Sequence, residues 1–74
     1  MDLEQYSKDQ LWQMLVATAH SSVMFNTHKA YTRDRVLPEK PDVKAEELAI
    51  QINMSLGEAL VILDELASER KVAT

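Results

Sequence analysis

The side chains of this sequence able to do chemistry are two histidines, a pair of serines, scattered carboxylates and one run of cations. Their spacing decides what is open to them. His20 and His28 stand eight positions apart. That is about two helical turns, too far for both to reach one metal ion from one face, and no Cys or His-x-x-x-His companion completes a ligand set. Ser21 and Ser22 beside His20, with Asp9 upstream, hold the letters of a hydrolase site. No nucleophile elbow or glycine-rich oxyanion loop accompanies them. The single glycine, Gly57, excludes a phosphate-cradling loop. No catalytic residue, metal ligand or cofactor is assigned, and the chain reads as non-enzymatic.

The cations are more promising. His28, Lys29, Arg33, Arg35 and Lys40, with Tyr31 among them and Lys44 just beyond, form the one cluster suited to meeting phosphate. The plainer account is a solvated connection partly neutralised by Asp34 and Glu39. The segment from His28 to Lys44 has five Lys or Arg against three acids, net +2, in a chain of net charge −4. The stretch from Ala45 onward has six acids against Arg70 and Lys71, net −4. The stretch from Ala45 onward, the helix-turn-helix, is therefore the acidic part.

The 74 residues make one domain, near the lower size at which a core alone holds a fold. Hydrophobic content of 46% argues for a folded chain, and one Gly with two Pro favours helices over a many-stranded sheet. Asp2 and Glu4 stand where a secretory signal would be basic, and the apolar run from Met14 to Ala19 is far short of a membrane span. A soluble, cytoplasmic protein without membrane attachment is expected.

Ser7 with Gln10 forms a capping box, opening a long first helix over residues 7–30. Its apolar residues make several rows: Leu11, Leu15 and Ala19; Trp12, Val16 and Val23; and Met14, Ala17 and Met24. A helix apolar on more than one side is buried on more than one side. Either the fold encloses it as a central helix, or one face pairs with a second copy or another protein. Residues 31–42 read as an irregular basic connection, with Pro38 and Pro41 biasing their predecessors to extended backbone and Val36-Leu37 as a short extended piece.

Residues 43–71 read as two helices joined by a tight turn. Asp42 is the expected cap of the first helix, in which Leu48, Ala49 and Ile52 share a side. Asn53 suits a turn residue of positive φ. Ser55 and Glu58 form a capping box for the second helix, whose Ala59, Ile62, Leu63 and Leu66 line one face.

The run EELAIQINMSLGEALVILDELASERKV, Glu46 to Val72, resembles the helix-turn-helix core of winged-helix domains. It shares their outline of E-x-L-A, a turn, a serine, an apolar L-x-x-L stretch and a charged end closing on valine. Asn53 stands where that turn usually has glycine, and after Val72 the sequence leaves little or no wing. The resemblance implies a DNA-binding regulator that contacts phosphates through Lys29, Arg33, Arg35, Lys40 and Lys44.

The helix itself argues otherwise. The face expected to turn outward holds Gly57, Val61, Asp64 and Ser68, flanked by Leu60, Glu58 and Glu65. Reading bases usually takes Arg, Lys, Asn or Gln, and carboxylates repel the phosphates that dominate affinity. The expectation is an all-α, three-helix, winged-helix-like domain with a long first helix and a C-terminal helix-turn-helix pair. It would bind protein, itself as a homodimer or another partner, through Trp12, Val16, Leu56, Leu60 and Val61. Nucleic acid is the second choice.

Overall fold

The computed structural model describes residues 3–73, and the side chains of residues 4–70. The described residues are helical or in turns, with no strand among them. A short 3-10 turn at Leu3–Gln5 precedes α1 (Lys8–His20), α2 (Phe25–Tyr31), a π-helical turn (Thr32–Val36), α3 (Ala45–Ile52) and α4 (Leu56–Ala73).

The first helix is shorter than its apolar rows suggest. Its start is as expected: Ser7 Oγ accepts from the Gln10 N–H at 3.1 Å, and Gln10 Oε1 accepts from the Ser7 N–H at 2.8 Å. Its end comes at His20, where the serine pair competes for the backbone. Ser21 Oγ donates to the Thr18 carbonyl at 2.6 Å, the Ser22 N–H tightens to the Ala19 carbonyl, and Ser22 Oγ accepts from the Met24 N–H. The expected continuous helix over 7–30 is therefore two helices with a turn between them.

The connection over 31–42 is less irregular than expected. α2 runs directly into the π-helical turn, marked by the Leu37 N–H bonding to the Thr32 carbonyl five residues back at 2.9 Å. Buried Thr32 satisfies its hydroxyl on the His28 carbonyl at 2.8 Å. Val36 and Leu37 do pack onto the core, but not as an extended piece: Leu37 has φ −62° and ψ −35°, so packing overrides the bias from Pro38.

At the start of α3 the cap position is Lys44, not Asp42, and the Glu47 carboxylate reaches back to the Lys44 N–H at 3.2 Å. Val43 and Leu48, on either side of that cap, are both buried in the core, as in a hydrophobic staple. Asn53 ends α3 with φ 61° and ψ 57°. The Met54 N–H then bonds to the Ala49 carbonyl at 3.0 Å, the six-to-one bond of a Schellman ending. Ser55 Oγ accepts from the Glu58 N–H at 3.1 Å and opens α4. The other arm of that capping box does not form, because the Glu58 carboxylate turns to His28.

α4 is the centre of the fold, and α1, α2 and α3 all pack on it. It supplies Ala59, Val61, Ile62 and Leu66 to a core completed by Ala19, Phe25, Val36, Val43, Ala45 and Leu48. Of the two readings of the first helix, enclosure as a central helix is not what is found. α1 is peripheral, and Ala19 is its one fully buried residue; Leu11, Trp12, Leu15 and Val16 are half-buried. The Cα radius of gyration is 13.1 Å, against about 11 Å for a compact domain of this length. The molecule is elongated, 40 × 30 × 21 Å, and leaves apolar surface on α1 uncovered.

Candidate interaction surface

Three carboxylates of α4 meet side chains of α1 and α2. Glu58 is buried and pairs with Nδ1 of His28. Glu65 meets His20 Nε2 at 2.6 Å and Lys29 Nζ at 2.8 Å, and Lys29 also reaches Glu69 at 2.5 Å. Spacings of seven and four residues put these three acids on one side of α4. That side lies against α2 and the end of α1. Burial works against the Lys29 ammonium, but hydrogen bonds and charge from Glu65 and Glu69 outweigh it and raise its pKa. At Glu65 burial pushes the carboxyl up, and hydrogen bonds from Lys29 and His20 more than reverse it.

With the acidic side turned in, the outward side of α4 differs from the expected one. Val61 is 0% exposed and belongs to the core, so it cannot serve a docking surface. Gly57 also faces inward: a Cβ built there would lie 2.7 Å from Leu15 Cδ1, so glycine lets α1 approach α4 closely. The outward row is Leu56, Leu60, Asp64 and Ser68, with Leu56 48% and Leu60 42% exposed. Leu15, resting over Gly57, carries this apolar row onto α1, where Met14 is 44% exposed. Trp12 and Val16 are half-buried and pack against the core from α1.

The five cations singled out in the sequence are mostly engaged. Lys29 is held by Glu65 and Glu69, Arg33 is bidentate to Asp34 at 2.9 and 3.1 Å, and Lys40 pairs with Glu47. Arg35 and Lys44 are exposed and make no side-chain hydrogen bond among the described residues. Even so, each lies near enough to an acid, Asp34 and Glu47 respectively, to help lower its pKa. The pairing of His20 and His28 with acids of α4 was not legible; a His in sequence reach of no acid gives no sign of a partner 45 or 30 residues away.

Among the described residues no group of three His, Asp or Glu side chains is placed to hold a metal ion, and no helix is long and apolar enough to cross a membrane. The chain matches no family model, no curated protein and no solved structure.

Proposed function

We propose that this chain is a non-enzymatic protein–protein interaction module, working inside the cell, that docks a second copy of itself or another protein on the Leu56–Leu60 row of α4 and the adjoining part of α1. One observation carries this: the outward face of α4 presents two leucines, Asp64 and Ser68, and no cation. The half-buried row on α1 supports it, since burying a large apolar side chain is worth about 1.5–3 kcal/mol. The pair α3–α4, with its left-handed Asn53 and Ser55 cap, fits a winged-helix-like helix-turn-helix put to this use.

The alternative is a DNA-binding regulator. It keeps some support from the resemblance over Glu46 to Val72 and from the exposed Arg35 and Lys44. Against it stand the paired states of Lys29, Arg33 and Lys40 and a second helix that would bring Asp64 towards phosphate.

Two measurements decide between them. Sedimentation should give a mass above the 8.4 kDa chain at high protein concentration, or affinity capture should return a defined partner. Leu56→Glu/Leu60→Glu should abolish either while leaving helicity intact. Salt-sensitive binding of random duplex DNA that weakens in Arg35→Ala/Lys44→Ala, with capture untouched by the leucine changes, would overturn the proposal in favour of the alternative.

A further inference from the structure

Resting on the docking role proposed above, the face on α1 and α4 also selects its occupant. The chain exposes 5511 Å². A folded monomer of 8.4 kDa exposes about 4,600 Å². The surplus of about 900 Å² is close to the roughly 800 Å² that each partner contributes to a standard protein interface. Part of it is the apolar surface of Met14, Leu56 and Leu60, each more than two-fifths exposed on this side of the molecule.

Across a twofold axis a patch meets itself. Apolar side chains then match their own kind, while a charge must lie off the axis, opposite a group of the other sign. The seam between α1 and α4 meets both conditions. α1 and α4 run in the same direction, since Leu15 rests over Gly57 and, further along both, His20 meets Glu65. Lys8 stands seven residues before Leu15, and Asp64 seven residues after Gly57. Seven residues are about two turns, so Lys8 shares the side of Leu15 and Asp64 the side of Gly57, both along the seam. At 1.5 Å per residue each lies about 10.5 Å from the Leu15–Gly57 level, in opposite directions. Both are exposed and make no ion pair or side-chain hydrogen bond among the described residues.

We propose that the occupant is a second copy of this chain, packed antiparallel on the same face about a twofold axis. The axis runs across both helices at the level of Leu15 and Gly57. It brings Leu56 and Leu60 of the two copies together at the centre. It also inverts heights along the seam, which sets each Lys8 level with the partner's Asp64, one ion pair at either end. An unrelated protein could cover the leucines, but only a second copy makes use of a cation and an acid placed at equal and opposite distances from one level.

The test is sedimentation of the full chain over a concentration series, at low and at moderate salt. The parent should approach twice the 8.4 kDa chain mass. Lys8→Asp and Asp64→Lys should each weaken self-association about tenfold, because each turns both cross-axis pairs into like charges. Mixing the two variants in equal amounts should restore association, since a mixed dimer has opposite charges at both ends. The double variant Lys8→Asp/Asp64→Lys should associate like the parent on its own. Neither rescue is open to a variant that has merely unfolded. Moderate salt should narrow the differences between parent and single variants.

A parent that stays monomeric at high concentration would overturn the proposal, and capture of another protein on the same leucines would then leave the docking role standing. Self-association that Leu56→Glu/Leu60→Glu abolishes, but that both single charge reversals leave unchanged, would refute this arrangement and keep the leucine face. Loss in the single variants without rescue in the mixture would refute the pairing of Lys8 with Asp64. Self-association untouched by the leucine changes would remove the docking face itself, and the second-copy arrangement with it.

Discussion

Replacing Glu58 by Ala tests the claim that the buried hydrogen bond between Glu58 and His28 helps fix the rotation of α4. Glu58 is 7% exposed, and its His28 partner is mostly buried as well. Alanine deletes the carboxylate and strands the ring nitrogen it satisfied. Leaving one buried polar group without a partner costs about 1–3 kcal/mol, and breaking a buried charged pair about 3–5 kcal/mol. The short reach of the His28 ring to solvent favours the lower figure, so about 2 kcal/mol is expected. At about 4–8 °C per kcal/mol for a domain this small, the melting temperature should drop by roughly 8–16 °C. Replacing both residues by apolar ones of similar size, His28→Leu/Glu58→Leu, should restore much of the loss, because neither group is then left unpaired. Thermal and urea unfolding followed by circular dichroism measures all three variants. A Glu58→Ala protein within about 0.5 kcal/mol of the parent, the range of ordinary surface changes, would show that the pair does not hold α4 in place.

Two more outcomes follow from the same geometry. The Glu65 carboxyl is held below its ordinary 4.5 by Lys29 and His20 against the opposing effect of burial, so its contribution to stability is complete above that value and is lost as pH falls through the lowered one. Lys29, raised above 10.5, contributes fully below that value and loses its share as pH rises past the raised one. A pH series of melting temperatures should therefore fall off at both extremes, and Glu65→Gln should flatten both limbs; unaltered limbs would refute the linkage. At the turn, Asn53→Ala should cost about 1 kcal/mol and Asn53→Gly nothing or less, since the left-handed backbone penalises a Cβ there. Equal stability of the two variants by urea titration would show that φ at this residue carries no strain.

What the sequence made legible was local. The Ser7–Gln10 cap, the left-handed Asn53 and the apolar face of Ala59, Ile62 and Leu66 each depend on neighbours within about two turns, and all three are found. What it hid was set at long range. The outward face of α4 was misplaced because Glu58 looks like a solvent residue until His28, thirty positions earlier, is seen to cover it. Once that carboxylate turns inward, Val61 goes with it into the core and Leu56 comes out. The break after His20 had a local sign that apolar rows obscured: two adjacent serines whose hydroxyls bond the preceding backbone. The cation run left a phosphate surface open beside the plainer reading of a solvated connection, because charge alone, read along a chain, does not reveal that Lys29 and Lys40 find their acids on α4 and α3.

The place of α4 in the fold has a consequence for synthesis. The helices α1, α2 and α3 all pack on α4, and all three leave the ribosome before it. From the emergence of Lys8 to that of Leu66, at about 5–20 residues per second, roughly 3–12 s pass in which Trp12, Phe25 and Leu48 have no template to close over. A nascent chain arrested just before Leu56 should thus be degraded readily, and one extended past Leu66 should resist protease. Maturation of this protein would then be a single late event rather than a stepwise accretion from its amino terminus.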